Sequence, residues 1–168
     1  SAYKRLLKAI YLCKYFIYAS KLKGSILECG VLRGFSSYLL ILLSQKINHS
    51  ILEKNFYLVD SFKGLSKISP EDKPLESNTP QHKMGDLKAN YENVKDLFSN
   101  FKNVKILKGW IPQIFSSINS NEKYCFVHLD VDLYQPTFDT LNYVYDKVVK
   151  GGIIITDDYR SPLFPGNQ

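Results

Sequence analysis

The stretch that decides the fold is Phe126-Val-His-Leu-Asp-Val-Asp-Leu-Tyr134, an apolar run interrupted only by His128 that passes into two aspartates, Asp130 and Asp132. It reads as a buried strand with an acidic end. Further along, Gly152-Ile-Ile-Ile-Thr-Asp-Asp-Tyr159 repeats the pattern and closes on Asp157 and Asp158. Between the two, the spacing predicts a helix from Pro136 to Lys150. Pro136 suits a first helical position, where its missing N–H costs nothing, and Gly151-Gly152 suits a stop. A strand–helix–strand unit favours parallel strands joined by a right-handed crossover. If the strands are neighbours, their carboxyl ends lie about 5 Å apart. Four aspartates then crowd the sheet edge at which open α/β folds bind ligands. Such crowding is costly unless a cation or shared protons offset the repulsion, and a divalent cation is the simplest resolution.

Working outward, the same alternation covers the rest of the chain. Tyr3 to Ser20 carries a helical apolar stripe that Gly24 ends, and Ser25-Ile-Leu-Glu-Cys29 is a first strand running into Gly30-Val-Leu-Arg-Gly34. An apolar helix is expected from about Phe35 to Ile47, then a second strand, Asn55-Phe-Tyr-Leu-Val-Asp60. Ser69 to Gly85 is polar, holds Pro70, Pro74 and Pro80, and has no hydrophobic period; a loop of that length in a compact domain suggests a lid. Tyr91 to Phe101 reads as a helix, Val104-Lys-Ile-Leu-Lys108 as a third strand leaving through Gly109-Trp110, and Ile111 to Ile118 as a short helix. The class is α/β, one domain over 1–168, with no repeat.

Composition narrows the function. At 168 residues, 45% hydrophobic and 14% aromatic, the chain can bury a real core. No apolar run reaches spanning length, and the opening residues do not resemble a secretion signal; the lack of an initiator Met suggests a trimmed chain. Cys13, Cys29 and Cys125 have neither metal nor disulfide spacing, so a reducing cytoplasm is expected. The net charge of +6 is carried by lysines that read as a scattered, solvated surface, so neither a nucleic-acid nor a membrane partner is expected.

Three constellations carry chemistry. In Glu28-Cys-Gly-Val-Leu-Arg-Gly34, a glycine straight after a strand lets backbone approach a ligand, and the following helix offers free N–H groups. The spacing is G-x-x-x-G, not the dinucleotide fingerprint G-x-G-x-x-G, so a nicotinamide oxidoreductase lacks its pyrophosphate site. Glu28 suits a ligand bearing an ammonium group. Asp60, at the second strand's end, could accept from both ribose hydroxyls of an adenosine ligand or simply cap the following turn. Asp130, Asp157 and Asp158 form the expected metal site, all oxygen donors, which suits Mg²⁺ and also Mn²⁺ or Ca²⁺. His128 lies deeper in its strand and reads as a buried, hydrogen-bonded histidine. Trp110 could stack on a heterocycle or simply cover the sheet edge, and its position at a strand exit favours stacking.

These segments, in this order, resemble the macrocin O-methyltransferases, class I enzymes that use S-adenosylmethionine to methylate sugar hydroxyls of natural products. The resemblance rests on Ile26 to Gly34, Asp60-Ser-Phe-Lys-Gly-Leu65, Asn93 to Phe98, Leu107 to Trp110, Leu129-Asp-Val-Asp-Leu-Tyr134 and Gly151 to Tyr159. It implies a Rossmann-like methyltransferase sheet flanked by helices, with the first and fourth strands central. It also implies Mg²⁺ on Asp130, Asp157 and Asp158, with Asp132 as catalytic general base. Two departures are Leu32, where many class I enzymes have glycine, and Pro112-Gln-Ile-Phe115 in place of an acidic stretch. A full fold of this class continues into another helix and a closing strand pair, so the chain is expected to be C-terminally incomplete.

The expected function is Mg²⁺-dependent O-methylation of a small-molecule, sugar-like hydroxyl, by a chain that could form a homo-oligomer. Glu28, Gly30, Val31, Gly34, Asp60, Ser61, Gly109 and Trp110 are the expected S-adenosylmethionine contacts. The competing expectation is a non-catalytic nucleotide-binding protein that keeps the fold.

Overall fold

In the computed structural model, which describes residues 2–47, 53–73, 82–159 and 165–167, five short apolar segments lie side by side as a parallel sheet. They are β1 (Ser25–Cys29), β2 (Phe56–Asp60), β3 (Val104–Lys108), β4 (Tyr124–Leu129) and β5 (Val148–Thr156), in the order β3-β2-β1-β4-β5. The order reverses at the β1–β4 junction, where chain leaves in opposite directions and opens a crevice beyond the strand ends. Both central strands are buried along their whole length, as their unbroken apolar reading requires.

Among the described residues four α-helices cover the sheet: α1 (Ala2–Ala19), α2 (Phe35–Ile47), α3 (Tyr91–Leu97) and α4 (Tyr134–Val144). One face packs Leu12 and Phe16 of α1 and Leu40 and Ile41 of α2 against Ile26, Phe56, Leu58 and Phe126. The other packs Phe115, Ile118 and Val144 against Leu27, Tyr57, Val127 and Leu129. Each such side chain contributes roughly 1.5–3 kcal/mol on burial. The α1 helix runs against the strands: Lys8 pairs with Asp157 beyond the end of β5, while Leu22 lies beside Gly151 in that strand.

Two expectations about this region change. The crossover helix begins at Tyr134, not Pro136, and ends at Val144, with a single 3₁₀ turn over Tyr145–Lys147 before β5. The pair Val148-Val149 is β-branched and joins the strand instead of prolonging the helix. Gly151 and Gly152 therefore lie inside β5, where the β4–β5 register shifts between Tyr124 and Phe126. The α3 helix stops at Leu97, short of Phe101, and the segment after Trp110 is a 3₁₀ turn over Gln113–Ser117. Of the expected lid, residues 74–81 lie outside the described residues.

Candidate active site at the carboxyl edge of the sheet

A cavity of about 720 Å³ opens beyond the ends of β1, β2 and β4. That is a normal size for a small-molecule or cofactor site. Of the residues singled out in the sequence, Gly30, Asp60, Ser61, Gly109, Trp110, Asp130 and Asp132 line it, whereas Glu28, Val31, Gly34, Asp157 and Asp158 do not. Lining residues not singled out in the sequence include Lys67, Gln135 and Asp139.

The β1 exit is held by the chain itself. Gly30 has φ +91°, and a Cβ there would sit 1.8 Å from the carbonyl oxygen of Asp130. Its glycine is therefore required by the close approach of the β1 and β4 exits, before any ligand is considered. Likewise a Cβ on Gly34 would meet the Phe98 ring at 2.8 Å. Asp60 reaches across from β2: one carboxylate oxygen accepts from the amides of Val31 and Leu32, both at 2.8 Å, and the other from Phe62 at 2.7 Å. Leu32 has φ +50°, so successive amides converge as in an anion-binding nest, and Asp60 is the anion that fills it. Of its two expected readings, the structure shows Asp60 as a cap. It caps its own turn, and with about four lone-pair sites on a carboxylate it keeps capacity for about one further donor. A pyrophosphate would find these amides taken and a negative charge in place.

Beneath this loop Glu28 is 1% exposed. Its Oε1 bonds His128 Nδ1 at 2.8 Å, across the β1–β4 register, and accepts from the Ser36 hydroxyl. Burial works to lower the His128 pKa, but the hydrogen bond and charge of Glu28 outweigh it and hold the imidazole above its ordinary value. Glu28 Oε2 is buried with no hydrogen-bond partner, an unsatisfied acceptor that suits a donor group or a water.

The β4 and β5 exits are built the opposite way. Oxygens of Asp130, Asp132 and Asp158 lie within 4.8 Å of one another. Burial, then the nearby Asp157 charge, pushes Asp130 up to about 7. Asp132 and Asp158 share a hydrogen bond that works to raise the first and lower the second, yet both are raised, above all by burial and with neighbouring carboxylates adding to it. Asp132 has φ +63°, a left-handed conformation that turns the chain sharply between β4 and α4. Asp157 stands apart from the three: its carboxylate pairs with Lys8 at 2.5 Å. Lys8 also feels Asp158 and Asp130, which makes its ammonium a tethered counter-charge for the whole cluster. Three converging oxygen donors, all carboxyls, are a fitting set for a hard divalent cation.

Sequence reasoning missed Asp72. It is buried, binds back to the amide and hydroxyl of Ser69, and accepts from the Tyr134 amide at 2.7 Å. A side chain from the polar 69–85 segment thus caps α4 and steadies the turn that carries Asp132. Nothing in its local sequence marks a partner 62 residues away.

The profile of the macrocin-O-methyltransferase (TylF) family matches residues 3–163. This chain belongs to that family. Similar proteins include the demethyldecarbamoylnovobiocin O-methyltransferase of Streptomyces niveus, 27% identical over 158 residues, and the mycinamicin III 3''-O-methyltransferase of Micromonospora griseorubida, 27% identical over 146. These alignments cover 91% and 83% of this chain but 59% and 56% of the relatives, so the chain spans under two thirds of their length. The fold is shared with the calicheamicin methyltransferase CalS11, with a TM-score of 0.82 at 17% identity over 98% of this chain and 68% of that one. The O-methyltransferase NovP gives 0.71 at 24% identity over 95% and 67%. Membership of the macrocin O-methyltransferase family makes the five-stranded sheet a Rossmann-like methyltransferase sheet. No helix among the described residues is long and apolar enough to cross a membrane.

Proposed function

We propose that this chain transfers a methyl group from S-adenosylmethionine to a hydroxyl of a sugar-like acceptor, with a divalent cation at the β4–β5 exits. The observation that carries the reading is the convergence of Asp130, Asp132 and Asp158 beside a cavity whose other wall is Asp60, Ser61 and Trp110. Family membership supplies the reaction class. The relatives named above are O-methyltransferases by their own names, and the sugar-like acceptor is carried over from a further one of Streptomyces olivaceus, 27% identical over 155 residues, whose name gives a rhamnosyl tetracenomycin as its substrate.

The donor would lie against Gly30, Asp60, Ser61, Gly109 and Trp110, with Asp60 offering its remaining lone pair and Trp110, 40% exposed, an open ring face. Val31 and Gly34 would act through the loop they shape, and Glu28 from below, through its unsatisfied oxygen. A bound sulfonium supplies an electrophilic methyl carbon, so the acceptor oxygen forms its bond as the carbon–sulfur bond breaks. The hydroxyl proton must then go to a base. Asp132 is the carboxylate for that role: of the four only it and Asp130 line the cavity, and Asp130 is assigned to the cation. An Asp132 held protonated by burial and by its neighbours cannot accept. A cation held by Asp130 and Asp158, with Asp157 released from Lys8 as third ligand, would lower the pKa of Asp132 and of a contacting hydroxyl.

The test is paired titration of the folded chain with labelled S-adenosylmethionine and with a nicotinamide dinucleotide. Binding of the first alone supports the reading. Binding of the dinucleotide alone contradicts it, because the Asp60-filled loop leaves no pyrophosphate site.

A further inference from the structure

The whole charge excess of this protein sits in its first helix and the turn after it. Residues 1–27 hold Lys4, Arg5, Lys8, Lys14, Lys21 and Lys23 and no acidic residue, while the remaining sequence is balanced at 16 basic and 16 acidic. The lysines are thus less scattered than a linear reading suggests. The α1 helix is also two-faced in an unusual sense. Leu12, Phe16 and Ala19 face the core, yet the opposite side is apolar as well: Tyr3, Leu6, Ile10, Tyr11, Tyr15 and Tyr18 are each between 43% and 73% exposed. At 3.6 residues per turn these six form one outward surface, with Lys14 among them. Lys14 and Lys21 lie 5.9 Å from the ring centroids of Tyr15 and Tyr18, respectively.

We propose that the outward face of α1 is a docking surface for an anionic membrane, on which the helix lies in the plane of the lipid headgroups. Leucine and isoleucine side chains would enter the acyl boundary. Tyrosines would sit at headgroup level with their hydroxyls wet, and flanking lysines would reach lipid phosphates. Charge decides among occupants. A second copy paired through the same face would set cations against cations, with no acidic residue on the helix to answer them. A nucleic acid would satisfy the lysines but leave Leu6 and Ile10 in water. An anionic bilayer satisfies both. The inference stands on α1 alone and does not depend on methyl transfer.

The experiment is flotation of the full chain with vesicles of phosphatidylcholine alone and of equal parts phosphatidylcholine and phosphatidylglycerol, at low and high salt. The expected result is binding to the mixed vesicles only, weakened by salt. Lys14→Ala and Lys21→Ala should each weaken it about fivefold, the effect of one cation near an anionic surface. The double variant Leu6→Glu, Ile10→Glu should abolish it while keeping the thermal melting profile, since both side chains point outward. Absence of binding to the mixed vesicles overturns the proposal. So does binding that survives the double variant, as does self-association or DNA binding that the double variant removes in the absence of vesicle binding.

Discussion

Two pairs of strand exits, less than a sheet's width apart, use carboxylates in opposite ways. At β1 and β2, the oxygens of Asp60 are met by three backbone amides, and one oxygen of Glu28 by an imidazole and a hydroxyl. At β4 and β5, the carboxyls of Asp130, Asp132 and Asp158 meet chiefly one another, and their pKa values rise accordingly. Folding satisfies Asp60 in the first pair and leaves one oxygen of Glu28 open, while in the second it leaves three carboxyls facing one another beside the Lys8–Asp157 pair. Carboxylates left unsatisfied at a sheet edge are where a fold stores its capacity for chemistry.

The sharpest way to break this contrast is at Asp132. Asp132→Asn keeps the shape but cannot take a proton, so turnover should fall about 10²–10⁴-fold while affinity for Mg²⁺ and for S-adenosylmethionine stays near wild type. Steady-state kinetics beside calorimetry decide it. Loss of Mg²⁺ binding would make Asp132 a ligand, in keeping with its place among the three converging oxygens.

Asp60 tests the other pair. Asp60→Ala strands three amides and should cost about 3 kcal/mol in chemical denaturation, because hydrogen bonds to a charged acceptor are among the stronger ones. S-adenosylmethionine binding should weaken by roughly 1–3 kcal/mol as well. An unchanged denaturation midpoint would mean that water replaces the carboxylate without loss, and the contrast between the exits would shrink.

Acidity separates them next. Asp130 titrates from 3.8 unfolded to about 7 folded, so between those values the folded state binds more protons than the unfolded one. Stability therefore falls as pH rises through that window. Thermal melts in chelator should show a loss on the order of 1–3 kcal/mol between about pH 4 and pH 7, reduced by Asp130→Asn and flattened by Mg²⁺. A profile that rises across this range would show that the cluster is already compensated.

The smallest effect is expected at Lys8. The pair with Asp157 is half exposed, so Lys8→Ala should change stability by less than about 1 kcal/mol. It should nonetheless raise Mg²⁺ affinity severalfold if Asp157 serves as a ligand once released. Unchanged affinity would leave Asp157 outside the metal site.

How much of this was written in the sequence depends on the range of the interaction. The strands were legible because each is an apolar run with an acidic end, and their order followed the family pattern. The glycine stop at Gly151-Gly152 misled, because glycine ends helices and also permits irregular strands, and only pairing with β4 distinguishes the two. The cluster of aspartates was visible, but which three converge was not: Asp157 pairs instead with a lysine 149 residues earlier in the chain. For the same reason Asp60 could not be assigned between cap and ligand, since two of its partners belong to another strand's loop. Asp72 shows the limit most plainly, as a residue in a featureless polar segment that caps a distant helix.

The most direct measurement is calorimetric titration of Mg²⁺ into the chain near pH 7 in buffers of different ionisation enthalpy, which counts the protons released on binding. If the β4–β5 exits are carboxyls kept protonated by one another and by burial, binding should expel about one proton per cation, and the double variant Asp130→Asn, Asp132→Asn should abolish that release. Binding without proton release, or no binding, would contradict the claim that these exits await a cation.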